Sequence, residues 1–217
     1  MARKRVAILI SGRGSNMAAL IAAAKDKSYP AEIVLVVSNI ADAGGLEIAR
    51  ANGIATETVE HKRFGKDRDA FDRAIHAILE KNNIEIVCLA GFMRLLTPLF
   101  VAQWQGRLLN IHPALLPSFK GLDTHARAVE TGVKIHGATV HFVVPEVDSG
   151  PIVAQAALAV RDDDTPDSLA ARVIKLEHRI YPLALKLVAE GRVRIVGGRC
   201  VVDTPFGGDT PLIVPQG

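Results

Sequence analysis

Short apolar runs alternate with helix-patterned stretches through the first half of this chain, and that alternation limits the folds open to it. Residues 6–10, 33–37 and 84–90 are almost unbroken runs of Val, Ile, Leu and Ala, the pattern of strands covered on both faces. Between them lie an Ala-rich stretch at 17–25 and a segment at 45–52 closed by Gly53. An amphipathic stretch at 67–82 then turns Phe71, Ile75, Ile78 and Leu79 inward. Residues 55–59 read as a further strand or edge segment. The repeat of about 20 to 25 residues per unit predicts an α/β fold with a doubly wound, mainly parallel sheet. Ligands of such sheets bind outside the carboxyl ends of the strands. Residues 12–16, 91–96 and 110–112 all fall at predicted strand ends.

The texture changes after His112. Residues 122–131 predict a helix ended by Gly132. Residues 137–144 alternate, with Ala138, Val140 and Phe142 on one face and Thr139, His141 and Val143 on the other. Residues 152–160 form another strand, so the second half is expected to be mixed or antiparallel. Thr165-Pro166 opens a long helix, Thr as cap and Pro in the first turn, with an apolar stripe of Leu169, Val173, Leu176, Ile180, Ala184 and Leu187. Glu177 stands at the margin of that stripe, either as a solvated flank residue or as a carboxylate held for a cationic ligand. Residues 193–196 and 200–202 flank a Gly197-Gly198-Arg199 turn, the pattern of a hairpin, and the Gly- and Pro-rich stretch 204–217 reads as a loose tail. With no linker or repeat, the 217 residues read as one domain. Its halves run from about 1–105 and about 106–196, with the hairpin and tail at about 193–217.

Composition narrows the function classes. A net charge of +3 from scattered basic residues gives no nucleic-acid stripe, and no stretch approaches the roughly 20 apolar residues of a membrane span. The start M-A-R-K-R-V-A-I-L-I-S-G has too short an apolar run for a signal peptide. Cys88 and Cys200 are too few for a disulfide framework and lack metal-ligand spacing, so a reducing cytoplasm is the expected compartment and no metal is expected.

Chemistry-bearing residues concentrate in L-L-N-I-H-P-A-L-L-P-S-F-K-G, residues 108–121. Asn110 and His112 are two apart, so on an extended strand both point to one side. Pro113 keeps His112 extended as the chain leaves the strand. Taken alone, the pair also fits a turn cap and a satisfied core histidine. Downstream, P-E-V-D-S-G-P at 145–151 is an acidic turn bounded by prolines. Folded back over the strand end, its Asp148 would orient His112 and favour the protonated form. Asn, His and Asp together make a proton-transfer site with an oxyanion donor.

A second candidate is S-G-R-G-S-N, residues 11–16, between the first strand and first helix. Its backbone N–H groups and the helix dipole suit an anion; the alternative is a tight turn whose Ser15 or Asn16 merely caps the helix. It is not the dinucleotide fingerprint, because Met17 stands where a third glycine belongs.

The ordered set I-S-G-R-G-S-N, S-N-I-A-D-A, L-A-G-F-M-R-L-L, N-I-H-P-A-L-L-P-S-F-K-G, H-G-A-T-V-H-F-V and D-S-G-P-I resembles the glycinamide ribonucleotide formyltransferase family, in register from about residue 5 to 195. The resemblance implies a Rossmann-like formyltransferase fold. It also implies transfer of the formyl group of 10-formyltetrahydrofolate to the amine of phosphoribosylglycinamide, in purine biosynthesis. Carried over position by position, it assigns catalysis to Asn110, His112 and Asp148. The substrate phosphate falls to Gly14, Ser15, Asn16 and Met17, and its glycinamide end to Glu177. The folate falls to Met93, Arg94, Leu95 and Leu96, with Val144, Pro145, Glu146, Val147 and Asp148 closing over it beside Asn110, and to Arg68 and Arg94 near its glutamate tail. Arg13 stands where Asn is common, and 174–176 depart from the usual polar residues before Glu177. The expected partners are these two small molecules, with no nucleic acid or membrane, and the chain is expected to act as a monomer or homodimer.

Two rivals share the Asn, His and Asp pattern. A formyltetrahydrofolate deformylase gives the formyl group to water, and its family usually carries an extra N-terminal domain, whereas the first strand here begins by residue 6. A methionyl-tRNA formyltransferase needs a C-terminal RNA-binding domain, which the tail after Val196 is too short to be. A non-catalytic nucleotide-binding module would use the glycine turn alone and leave the trio without a role.

Overall fold

The computed structural model describes residues 2–204 and 212–214. Its first half alternates as the sequence predicts: β1 (Lys4–Ile10), α1 (Ser15–Ala24), β2 (Ala31–Ser38), α2 (Gly44–Ala51), β3 (Ala55–Thr58), α3 (Arg68–Lys81) and β4 (Ile86–Leu89). There follow α4 (Pro98–Gln103), β5 (Leu108–His112), α5 (Thr124–Thr131), β6 (Ile135–Phe142), β7 (Ile152–Ala159), α6 (Pro166–Ala189), β8 (Val193–Val196) and β9 (Arg199–Val202). Seven strands make one sheet in the order β3-β2-β1-β4-β5-β6-β7. The pairs from β3 to β5 are parallel, and β5–β6 and β6–β7 are antiparallel, so the mixed second half is as expected.

β1 explains why its sequence is uninterrupted. Val6, Ile8 and Ile10 pack towards α1, α2, α5 and α6, while Ala7 and Leu9 pack towards α3 and α4, and all five are inaccessible to solvent. A strand with helices on both faces has no polar face to show. β8 and β9 pair as the predicted hairpin around Gly197-Gly198, both with positive φ, as a two-residue turn requires. The loose tail expected at 204–217 lies, apart from Thr204 and 212–214, outside the described residues.

The sequence reading missed α4, a six-residue helix with Thr97 as cap and Pro98 in its first turn. It is too short to show a helical period. α6 needs a correction as well. Leu176, placed in the apolar stripe, is half-buried, and Glu177, placed at its margin, is buried at 6% exposure. The helix is rolled to set that carboxylate against α1.

The strand order reverses between β1 and β4, whose neighbours β2 and β5 lie on opposite sides. A crevice therefore opens beyond their carboxyl ends.

Candidate active site at the strand ends

Asn110 and His112 share the face of β5 that carries Leu108, while Leu109 and Ile111 turn into the core against α1 and α6. Antiparallel pairing with β6 sets Thr139 opposite His112 and His141 opposite Asn110. The Thr139 hydroxyl donates to the Ala114 carbonyl at 2.7 Å and accepts the Leu116 N–H at 3.0 Å, fixing the chain as it leaves β5.

Asp148 arrives from the β6–β7 connection. Gly150 crosses so close to β6 that a Cβ there would stand 1.7 Å from the Phe142 carbonyl oxygen, so no side chain is tolerated. Asp148 itself has φ 49°, a left-handed conformation open to aspartate. Its Oδ2 accepts the Gly121 N–H at 2.8 Å and lies 3.4 Å from His112 Nδ1, and Lys120 Nζ donates to Ser149 Oγ at 2.7 Å. The loop thus folds back over the strand end as the sequence suggests.

The ring nitrogens of His112 are not equivalent. Nε2 is 2.9 Å from the Phe119 carbonyl oxygen, which can only accept, so Nε2 carries a proton. Nδ1 is the edge that faces Asp148 and the site. His141 fixes the neighbouring amide. Its Nδ1 donates to the Phe142 carbonyl at 2.9 Å, leaving Nε2 to accept from Asn110 Nδ2 at 3.3 Å. Burial holds His141 below the ordinary histidine value, only partly offset by that carbonyl and by Asp148, whose Oδ1 is 3.8 Å away. A neutral His141 therefore orients the Asn110 amide and leaves its second N–H for a ligand. The sequence reading left His141 open between site and core. Its alternation with Thr139 was legible, but its pairing with Asn110 was not.

His125 and His136, left open in the same way, stack edge to face at 5.4 Å behind the site. Burial lowers both, His136 to about 4.

At the β1 end, Gly14 caps α1 with φ +73° and no side chain caps the helix. The alternative of Ser15 or Asn16 as a cap is thereby excluded, and the first-turn amides stay available to an anion. Gly14 and Gly45 pack against each other, and the Gly45 N–H bonds the Gly12 carbonyl at 3.0 Å. Residues 11–16 with Ala90, Gly91 and Met93 line an open cleft of about 230 Å³. Ser11, within the candidate turn but given no role of its own by the sequence, donates its hydroxyl to Asn39 Oδ1 at 2.6 Å and accepts the Met93 N–H at 2.7 Å.

Asn16 is buried rather than free in the cleft, and its Nδ2 donates to Glu177 Oε2 at 2.6 Å. Burial raises the Glu177 carboxyl above its ordinary value despite that bond. Two candidates of the nucleotide site, 161 positions apart in sequence, are therefore in direct contact.

Of the expected folate residues, Met93 and Leu95 are 70% and 62% exposed. Leu96 and Val144 are half-buried, and Pro145, Glu146 and Val147 are exposed. Arg68 Nη2 donates to the Leu95 carbonyl at 2.7 Å, and the Arg94 guanidinium carbon lies 5.7 Å from the Phe71 ring centre. Both arginines are thus tied to the 93–96 stretch or to the helix under it. Among the described residues no group of three or more His, Cys, Asp and Glu is placed to hold a metal ion, and no helix is long and apolar enough to cross a membrane.

The chain that carries this cleft and cluster matches a known class of protein. Residues 4–185 match the formyl transferase family, and the chain belongs to it. Within that family it is 46% identical to the phosphoribosylglycinamide formyltransferase of Escherichia coli over 190 residues, 88% of this chain and 89% of that protein. The crystal structure of phosphoribosylglycinamide formyltransferase from Brucella melitensis is 55% identical with a TM-score of 0.83, covering 86% of this chain and 96% of that one. The match to the chicken trifunctional purine biosynthetic protein adenosine-3 is 50% identical over 191 residues, 88% of this chain, yet it spans only 19% of that longer protein. A formyltetrahydrofolate deformylase from Burkholderia mallei shares the fold at 31% identity, with a TM-score of 0.84 over 94% of this chain and 71% of that one.

Proposed function

We propose that the protein transfers the formyl group of 10-formyltetrahydrofolate to the amine of phosphoribosylglycinamide, giving formylglycinamide ribonucleotide and tetrahydrofolate in purine biosynthesis. The observation that carries this reading is the meeting of Asp148 with His112 at 3.4 Å, beside the glycine-turn cleft. The identities of 46% and 55% to proteins named for this reaction, against 31% for a deformylase, support it. The reading places the protein in the cytoplasm, as a monomer or homodimer.

The ribonucleotide phosphate sits on the free amides of the turn at Gly14, Ser15, Asn16 and Met17, with Glu177 directed to the glycinamide end. The folate ring lies against residues 93–96 under the loop of Val144 to Asp148. The neutral amine attacks the formyl carbon, and negative charge develops on the formyl oxygen. The free N–H of Asn110 and the Nδ1–H of a protonated His112 donate to that oxygen; removing such a donor costs about 3 kcal/mol in the barrier. Because Nε2 is committed to Phe119, only the Nδ1 edge serves the reaction. Asp148 holds that edge in place and stabilises its charge. As the folate nitrogen departs it takes the Nδ1 proton of His112, and the proton lost by the amine returns to Nδ1 through a water and Asp148, so the site ends as it began. Holding two substrates together supplies several kcal/mol more.

The test is folate release from 10-formyl-5,8-dideazafolate, followed by absorbance with and without phosphoribosylglycinamide. The reading expects product only with the nucleotide, and formylglycinamide ribonucleotide recovered. Equal rates without it would make the protein a deformylase, and no reaction in either case would leave a nucleotide-binding module. Asn110→Ala, His112→Ala and Asp148→Ala should each lower kcat by roughly 100-fold or more while both ligands still bind. A variant with near-normal turnover removes that residue from the mechanism.

A further inference from the structure

Residues 91–97, between β4 and α4, belong to no helix or strand, yet they present Met93 and Leu95 to solvent. Two amides of this stretch are taken by buried side chains, one near each end. Ser11 accepts the Met93 N–H at 2.7 Å, and Asp72 accepts the Thr97 N–H through Oδ2 at 2.6 Å. Asp72 lies on α3 at 3% exposure, and its Oδ1 has no partner among the described residues. Arg68, Phe71 and Asp72 share one face of α3. Arg68 holds the Leu95 carbonyl, and Phe71 stacks on Phe92 at 6.5 Å and lies beneath Arg94.

A carboxylate is an unfavourable occupant of such a position. Burial pushes the Asp72 carboxyl up despite its bond to Thr97 and the nearby Arg68. Neighbouring inward positions of α3, such as Ile75 and Leu79, are apolar. What sets position 72 apart is the Thr97 N–H opposite it, which a hydrocarbon side chain would leave unpaired. Thr97 also caps α4, its hydroxyl accepting from the Phe100 N–H.

We propose that Asp72 is a positioning residue for folate binding, which pins the Thr97 amide and so fixes the backbone of residues 94–96 in the form that receives the folate ring. This rests on the reading of 93–96 as the folate-holding stretch. Asp72 touches no substrate. It acts through Thr97, together with Ser11 at the other end and Arg68 in the middle.

The experiment is calorimetric titration of wild type, Asp72→Ala and Asp72→Asn with 10-formyl-5,8-dideazafolate and, separately, with phosphoribosylglycinamide. Loss of one buried hydrogen bond predicts that Asp72→Ala weakens the folate analogue by about tenfold or more. Its nucleotide affinity should stay within about twofold, and its kcat at saturating folate within about threefold. Asp72→Asn, whose amide oxygen still reaches the Thr97 N–H, should return to within about threefold of wild type. If Asp72→Ala does not fold, Asp72→Ser carries the same expectation, because its hydroxyl is too short to reach Thr97. Unchanged folate affinity in the Ala or Ser variant overturns the proposal. So does equal weakening of both ligands, or an Asn variant as impaired as Ala. A wild-type protein that binds nucleotide but not the analogue would instead overturn the folate reading itself.

Discussion

Gly150→Ala tests how far catalysis depends on the placement of one loop. The added methyl would stand 1.7 Å from the Phe142 carbonyl oxygen and 2.8 Å from its carbon, where contacts under 3.0 Å are essentially never seen. Phe142 is paired with Leu109 in the sheet and cannot retreat, so the loop must yield by about 1.3 Å, the difference between 1.7 and 3.0 Å. Asp148, two residues away, then leaves its 3.4 Å approach to His112 for a separation near 5 Å, beyond hydrogen-bond or ion-pair contact. A misplacement of about 1 Å is worth roughly 100-fold in rate, or about 2.7 kcal/mol of barrier. We therefore expect kcat to fall on the order of 100-fold, with the nucleotide KM within about threefold because the glycine turn proposed to hold the phosphate lies on another strand end. Overpacking should also lower stability by about 1–3 kcal/mol in urea unfolding. Gly44→Ala is the control, since a Cβ at that helix start meets nothing within 4 Å. A folded Gly150→Ala protein with kcat within threefold of wild type would refute the claim that this crossing positions Asp148.

Three further outcomes follow from the buried ionisable groups and the proposed folate site. His136 titrates near 4 when folded and near 6.5 when unfolded, so the unfolded state binds more protons between those values and stability falls as pH drops from 6.5 towards 4. His136→Gln should remove up to about 2 kcal/mol of the stability difference between pH 7 and pH 5; an unchanged urea midpoint difference would show that the ring is not held neutral. Glu177 has its folded value raised, so its contribution is most favourable below the unfolded value of 4.5 and is lost as pH rises through the folded value. Glu177→Gln keeps an acceptor for Asn16, and should be more stable than wild type at pH 8 while binding phosphoribosylglycinamide less tightly. Equal nucleotide affinity would show the carboxylate to be structural only. Arg94→Ala should raise the KM for formyl folate and leave that for the nucleotide alone, and unchanged folate binding would reduce Arg94 to a surface charge.

Much of the architecture is legible in the order of the residues alone. The uninterrupted apolar runs at 6–10 and 33–37 follow directly from burial on both faces, and the capping pair Thr165-Pro166 marks the start of α6. Asn110 and His112 were assigned to one side of β5 because a strand has a period of two, a local property needing no partner.

Pairing and packing decided the rest. That His141 lies across from Asn110 depends on the register of β6 on β5, which turns and distant contacts set. Whether Glu177 faces solvent or Asn16 depends on how α6 rolls against α1, a choice that the i, i+3 and i+4 pattern leaves open within one residue. Asp72 gave no local signal, because one carboxylate on a charged helix looks like any solvated one until Thr97 is brought against it. Local periodicity is written in neighbouring residues and can be read from them. The contacts that turn a buried polar side chain into a working one join residues 25 to 161 positions apart, and the folded chain alone sets those distances.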